Sequence, residues 1–189
     1  MNLLSLSLLF WLSHTFGATT PLPNVPLVNQ TGKPFQLHDL KGKYVFVSFV
    51  YTRCPLIKMC PLTMTLSREL FLQAKKQRAT DSLHFLFVTL DPQNDTPKVL
   101  SGFAKAHHLD DKPNVSFATG APKAISDLAS GFNVIGVPSE GMISHNSKSA
   151  LLDPDLTPIK EYKDNEWKPG EVLNDLLTSK AQTPASTVP

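Results

Sequence analysis

The chain has 189 residues, 41% of them hydrophobic and 18% charged, with 16 prolines, 9 glycines and a formal net charge of +2. That is enough for one well-cored domain and too little for a second of ordinary size; the ordinary apolar fraction at low net charge excludes a disordered chain. Lysine and arginine are scattered and nearly balanced by carboxylates, so no nucleic-acid partner is indicated. Two cysteines, Cys54 and Cys60, exclude a disulfide scaffold and a four-cysteine zinc site.

Residues 1–18, MNLLSLSLLFWLSHTFGA, carry no Lys, Arg, Asp or Glu, and the apolar stretch from Leu3 to Phe16 falls short of the roughly 20 residues that span a bilayer. The segment reads as a secretory signal peptide, with Thr15 and Gly17 or the residues around Ala18 as the cleavage site, or as an uncleaved N-terminal anchor. Either way the domain is expected to be exported, at the periplasmic or extracytoplasmic face of a membrane. There, the ordinary expectation for two cysteines is a structural disulfide.

Residues 19–34 form a proline-rich extended lead, with a turn over Asn29 to Gly32 that predicts a β-hairpin. Tyr44 to Tyr51 is a run of β-branched and aromatic residues with almost no polar alternation, as in a strand buried on both faces. The cysteine loop follows, then an amphipathic helix from Pro61 to about Arg78. A second buried strand, Leu83 to Leu90, ends at Asp91-Pro92. The next helix starts near Thr96-Pro97, with Asp95 or Thr96 as its cap. This β-then-α alternation predicts an α/β core. Residues 113–118 are a further strand, Ala121 to Gly131 a short helix, Ser149 to Asp153 and Thr157 to Tyr162 a hairpin, and Gly170 to Leu177 the last helix. The domain thus runs over 35–179, and residues 180–189 read as a flexible tail.

Cys54-Pro55-Leu56-Ile57-Lys58-Met59-Cys60 sits where a buried strand hands over to a helix, the edge of an α/β sheet at which chemistry collects. The helix N-terminus, Arg53 and Lys58 would all lower a thiol pKa below its reference of about 8.5. Two soft sulfurs completed by an imidazole suit copper, Cu(I) especially, better than zinc. The spacing alone, C-x5-C rather than C-x-x-C, leaves a plain disulfide, a metal pair and a redox-active dithiol all open.

Gly42 to Pro55, then Cys60-Pro61, then Val88-Thr89-Leu90-Asp91-Pro92-Gln93-Asn94-Asp95-Thr96-Pro97 resemble, in this order, the Sco/SenC family of thioredoxin-fold copper chaperones over about residues 22–178. The resemblance implies a thioredoxin-like α/β fold, a central mixed sheet flanked by helices with the N-terminal hairpin as an extension. It also implies one copper ion held by Cys54, Cys60 and a distal histidine, His145 of Ile143-Ser144-His145-Asn146. The implied client is the copper-A subunit of cytochrome c oxidase or another copper or thiol protein, with redox cycling of the cysteine pair. Asp91 matches a family aspartate near the metal loop. The usual family spacing is C-x3-C, so this loop is two residues longer. An exported thiol-disulfide oxidoreductase, with Cys54 attacking and Cys60 resolving, is the alternative. Of the other histidines, His84 reads as a core residue and His38, His107 and His108 as surface. Met59 is a thioether candidate or a packing residue, and Trp167 a packing residue.

Overall fold

The computed structural model describes residues 21–139 and 142–182. The leader expected over residues 1–18 lies outside them, and among the described residues no helix is long and apolar enough to cross a membrane. In chain order the elements are β1 (Pro26–Asn29), β2 (Pro34–Gln36), β3 (Tyr44–Val50), α1 (Cys60–Lys76), β4 (Leu83–Thr89), α2 (Pro97–Ala106), β5 (Val115–Thr119), α3 (Pro122–Gly131), β6 (Gly136–Ser139), β7 (Met142–His145), β8 (Lys148–Leu152), β9 (Pro158–Lys163) and α4 (Pro169–Gln182). The last helix thus includes Lys180 to Gln182, where a flexible tail was expected.

Seven strands form one mixed sheet in the order β2-β1-β5-β4-β3-β8-β9. The centre is parallel: Phe46 is in register with Phe85 across β3 and β4, and Phe87 with Phe117 across β4 and β5. The expected N-terminal hairpin is present, and it also joins the central sheet, because β1 pairs antiparallel with β5, Val28 opposite Thr119. Its turn needs Gly32 at φ +83°, a conformation open to glycine, and the Asn29 side-chain oxygen accepts the N–H groups of Thr31 and Lys33 at 3.0 Å each.

Every residue of β3 and β4 is buried, which accounts for their unbroken apolar runs. Phe46, Val50, Phe85 and Phe87 face one core layer with Met64, Leu70 and Phe71 of α1, Leu100 of α2 and Leu173 of α4. Val45, Val47, Phe49, Leu86 and Val88 face the other, under Ile125 and Leu128 of α3. Trp167 packs as expected, its ring centroid 5.2 Å from that of Phe46. With both faces covered, the carboxyl ends of β3 and β4 are left as the place where loops converge.

His84 is a core histidine, 5% exposed, with Nε2 3.0 Å from the Ser116 hydroxyl. Burial, helped by the Lys43 charge, lowers its pKa from 6.5 to about 4, so the folded protein holds it neutral. Between those values the unfolded chain binds more protons than the folded one. The stability this confers is therefore present above pH 6.5 and lost as pH falls through about 4, on the order of 3 kcal/mol. Urea unfolding between pH 7 and pH 4 checks it. His84→Gln, which cannot titrate, is expected to lose less stability over this window than the wild type; equal losses would contradict the assignment.

Candidate metal centre

Tyr51 follows β3, and the segment from Thr52 to Met59 carries the chain to α1, whose first residue is Cys60. Cys60 is buried, 2% exposed, and Cys54 is half-buried on the loop; both are free thiols. The crest between them is open, with Ile57 81% exposed. The first turn of α1 has no side-chain cap but has the expected proline, Pro61.

Two polar residues far away in sequence hold this loop. Asp95, 0% exposed, accepts the Thr52 N–H at 3.1 Å and the hydroxyls of Thr52 and Thr89 at 2.5 Å each, joining the start of the loop to the end of β4. Thr96 caps α2 instead, accepting the Val99 N–H at 3.4 Å. At the other end Asn165 donates to the carbonyls of Lys58 and Met59 at 3.1 and 3.0 Å and accepts the Thr63 hydroxyl at 2.9 Å. Neither role was visible in the sequence: Asp95 looked like a helix cap, and Asn165 drew no signal, its partners lying up to 107 positions away.

The two thiols influence one another's ionisation. The expectation of lowered thiol pKa values fails for Cys60, which burial and then the neighbouring Cys54 push up to about 12 against the pull of backbone N–H groups. Removing sulfur from water outweighs the helix terminus because the charged form loses its hydration. Arg53 does not serve the sulfurs either: its guanidinium grips Asp91 at 2.8 Å. The Asp91 carboxylate, buried, also accepts from Asn94 at 2.8 Å, so this candidate residue is committed to Arg53 and Asn94.

His145 ends β7, in a hairpin with β6 whose register sets Gly136 opposite His145 and Pro138 opposite Ile143. Asn146 fastens its base, donating to the Asn133 carbonyl and accepting the Ile135 N–H, both at 2.9 Å. The imidazole Nδ1 donates to the Asn146 carbonyl at 3.0 Å, which leaves Nε2 with its lone pair. Nε2 is buried and has no hydrogen-bond partner. Burial lowers the pKa of His145, favouring the neutral, ligating form. The ring stands edge-on to Tyr51, centroids 5.8 Å apart. Tyr51 is 2% exposed, and burial, with the neighbouring thiols adding to it, raises the pKa of its hydroxyl. The structure thus sets the histidine against Tyr51, the residue that leads from β3 into the cysteine loop. Among the described residues no three His, Cys, Asp or Glu side chains are gathered as a ready cage for an ion.

A cleft of about 600 Å³ opens beside the loop, walled by Tyr51, Arg53, Asp91, Ile135, Met142 and Ile143. Met59 is half-buried, His38 and His108 are exposed, and His107 packs on Phe103; none of these three histidines joins the site.

The SCO1/SenC family model matches residues 23–180. The SCO1 protein homolog of Bacillus subtilis is 32% identical over 156 residues, 80% of this chain and 78% of that one. The chain spans just under two thirds of two other curated relatives, 65% and 66% of their lengths. Among solved structures, BsSco, a member of the Sco family of cytochrome c oxidase assembly proteins in which a disulfide switch was identified, is 26% identical, with a TM-score of 0.75 over 88% of this chain and 96% of that one. Bradyrhizobium japonicum ScoI, solved with copper bound, is 26% identical with a TM-score of 0.69 over 84% and 99%. These matches agree with the thioredoxin-like arrangement of sheet, helices and cysteine loop, and the chain belongs to the SCO1/SenC family.

Proposed function

We propose that this protein is a copper carrier in which the Cys54 and Cys60 thiolates and His145 Nε2 hold one copper ion as cargo for the copper-A centre of cytochrome c oxidase or another copper or thiol client. The observation that carries this reading is the state of His145: one ring nitrogen committed to a backbone carbonyl, the other buried without a partner, beside the tyrosine that leads into the cysteine loop. Two soft sulfurs and a neutral imidazole are a Cu(I) donor set, and a metal-ligating histidine is ordinarily oriented by a hydrogen bond at its other nitrogen. The copper-bound ScoI structure and the assembly role of the BsSco family support the same reading. We place the site on the exported side of the membrane, tethered or released through the N-terminal segment.

Redox state governs loading. Oxidation of the pair to a disulfide gives up two protons and two electrons to an oxidant and leaves no thiolate for the metal. The partial exposure of Cys54 and burial of Cys60 also fit an attacking and a resolving thiol, so oxidoreductase activity is the second reading.

Titration with Cu(I) against a chromophoric chelator tests the carrier. Reduced protein is expected to take up about one ion and the disulfide form none. Because Cys60 must shed a proton held up to about pH 12, affinity is expected to rise with pH around neutrality, by about tenfold per pH unit for each thiol proton the ion displaces. No uptake by reduced protein would sink the reading. Turnover of a disulfide substrate that survives His145→Ala and is lost in Cys54→Ser would then establish the oxidoreductase.

A further inference from the structure

Asn165 follows β9, and the chain reaches it through Asp164 in the left-handed conformation at φ +51°, which aspartate tolerates better than most side chains. The Asn165 amide has two N–H groups and one oxygen able to accept twice, and the fold uses all four. The N–H groups go to the carbonyls of Lys58 and Met59, the residues just before Cys60, at 3.1 and 3.0 Å. The oxygen accepts the hydroxyl of Thr63, in the first turn of α1, at 2.9 Å and that of Ser147, shortly after His145, at 3.3 Å. The neighbouring Asp164 N–H donates to the Ser147 carbonyl at 2.9 Å. One half-buried side chain thus has partners that adjoin a cysteine on one side and the histidine on the other.

We propose that Asn165 is a positioning residue of the metal centre, its amide tying the segment before Cys60 and the segment after His145 to one point, so that the spacing of thiol and imidazole is set before an ion arrives. This rests on the carrier reading for its metal, whereas the four hydrogen bonds belong to the metal-free protein. A donor set held in place by its surroundings gives up less freedom on binding, and supporting contacts outside the ligand set contribute about tenfold to metal affinity. Asn165 touches no ligand; it acts through the backbone that carries Cys60 and His145.

Asn165→Asp is close to isosteric and keeps an oxygen for the two hydroxyls, but sets a second acceptor against the Lys58 and Met59 carbonyls. Asn165→Ala removes all four bonds. In metal-free reduced protein, hydrogen exchange read by mass spectrometry is expected to speed up over residues 58–63 in both variants, and over residues 145–149 in Asn165→Ala alone, by about fivefold, the equivalent of one lost hydrogen bond. Acceleration confined to residues 58–63 in Asn165→Ala would overturn the proposal whatever the metal does. With Cu(I), Asn165→Asp is expected to lose about tenfold in affinity. Combined with His145→Ala it is expected to lose about 100-fold, no more than His145→Ala alone, because an imidazole out of register has little left to contribute. Losses that multiply to about 1,000-fold would make Asn165 a staple of the loop only and overturn the proposal. Exchange accelerated in both segments of a protein that takes up no copper even as wild type would uphold the tie and sink the carrier reading alone.

Discussion

His145→Ala is expected to weaken copper binding by at least about 100-fold, more than the loss of a partner outside the ligand set, because it removes one of the three proposed donors. The fold should hardly notice. His145 is half-buried at the end of a short two-stranded hairpin; among the described residues its side chain hydrogen-bonds only the carbonyl of the next residue, and its second nitrogen bonds nothing. The melting temperature of the metal-free variant should therefore lie within a few degrees of wild type, where surface-like substitutions fall. Competition with a chromophoric chelator and a thermal melt on the same preparation check both halves. An affinity equal to wild type would remove His145 from the site.

Asp95→Ala is expected to be the most damaging single change to the fold near the site. The substitution strands the Thr52 N–H and the Thr52 and Thr89 hydroxyls, three donors that now converge on one fully buried carboxylate. Unsatisfied buried donors cost about 1–3 kcal/mol each, only partly relieved by entering water. A loss of about 3 kcal/mol overall corresponds to a fall of roughly 10 °C in melting temperature for a domain of this size. Because Thr52 lies two residues before Cys54, the same variant should also leave the cysteine loop less ordered, and Cys54 should be alkylated faster at fixed pH. A melting temperature within two or so degrees of wild type, against the several expected per kcal/mol lost, would mean that the staple does not hold the loop.

The parts of this molecule that were legible in its sequence are those whose physics is local. β3 and β4 announced themselves because a strand buried on both faces needs no polar alternation, and α2 because Thr96-Pro97 combines a cap with a first-turn proline. Cys54 and Cys60 were conspicuous as the only cysteines at a strand-to-helix junction. The β6–β7 hairpin was missed. Its four-residue strands are short, and Pro138, paired with Ile143, demotes the run to a non-strand by ordinary rules. His145 was therefore found by family likeness and not by its hairpin. Asn165 and the true role of Asp95 depend on contacts across the fold. The direction of the Cys60 shift came out opposite to expectation for a related reason: the charges of a helix terminus can be read from sequence, but burial to 2% exposure cannot, and burial prevails. For carrying a metal that bias is useful. A thiol held protonated until an ion displaces its proton stays a poor nucleophile while empty.

X-ray absorption at the copper edge, on reduced protein loaded with one equivalent of Cu(I), reads the ligands of the bound ion. Two sulfur neighbours and one imidazole nitrogen are expected in wild type, with the imidazole scattering lost in His145→Ala. A copper ion bound by sulfur alone, or an imidazole contribution that persists in His145→Ala, would contradict it.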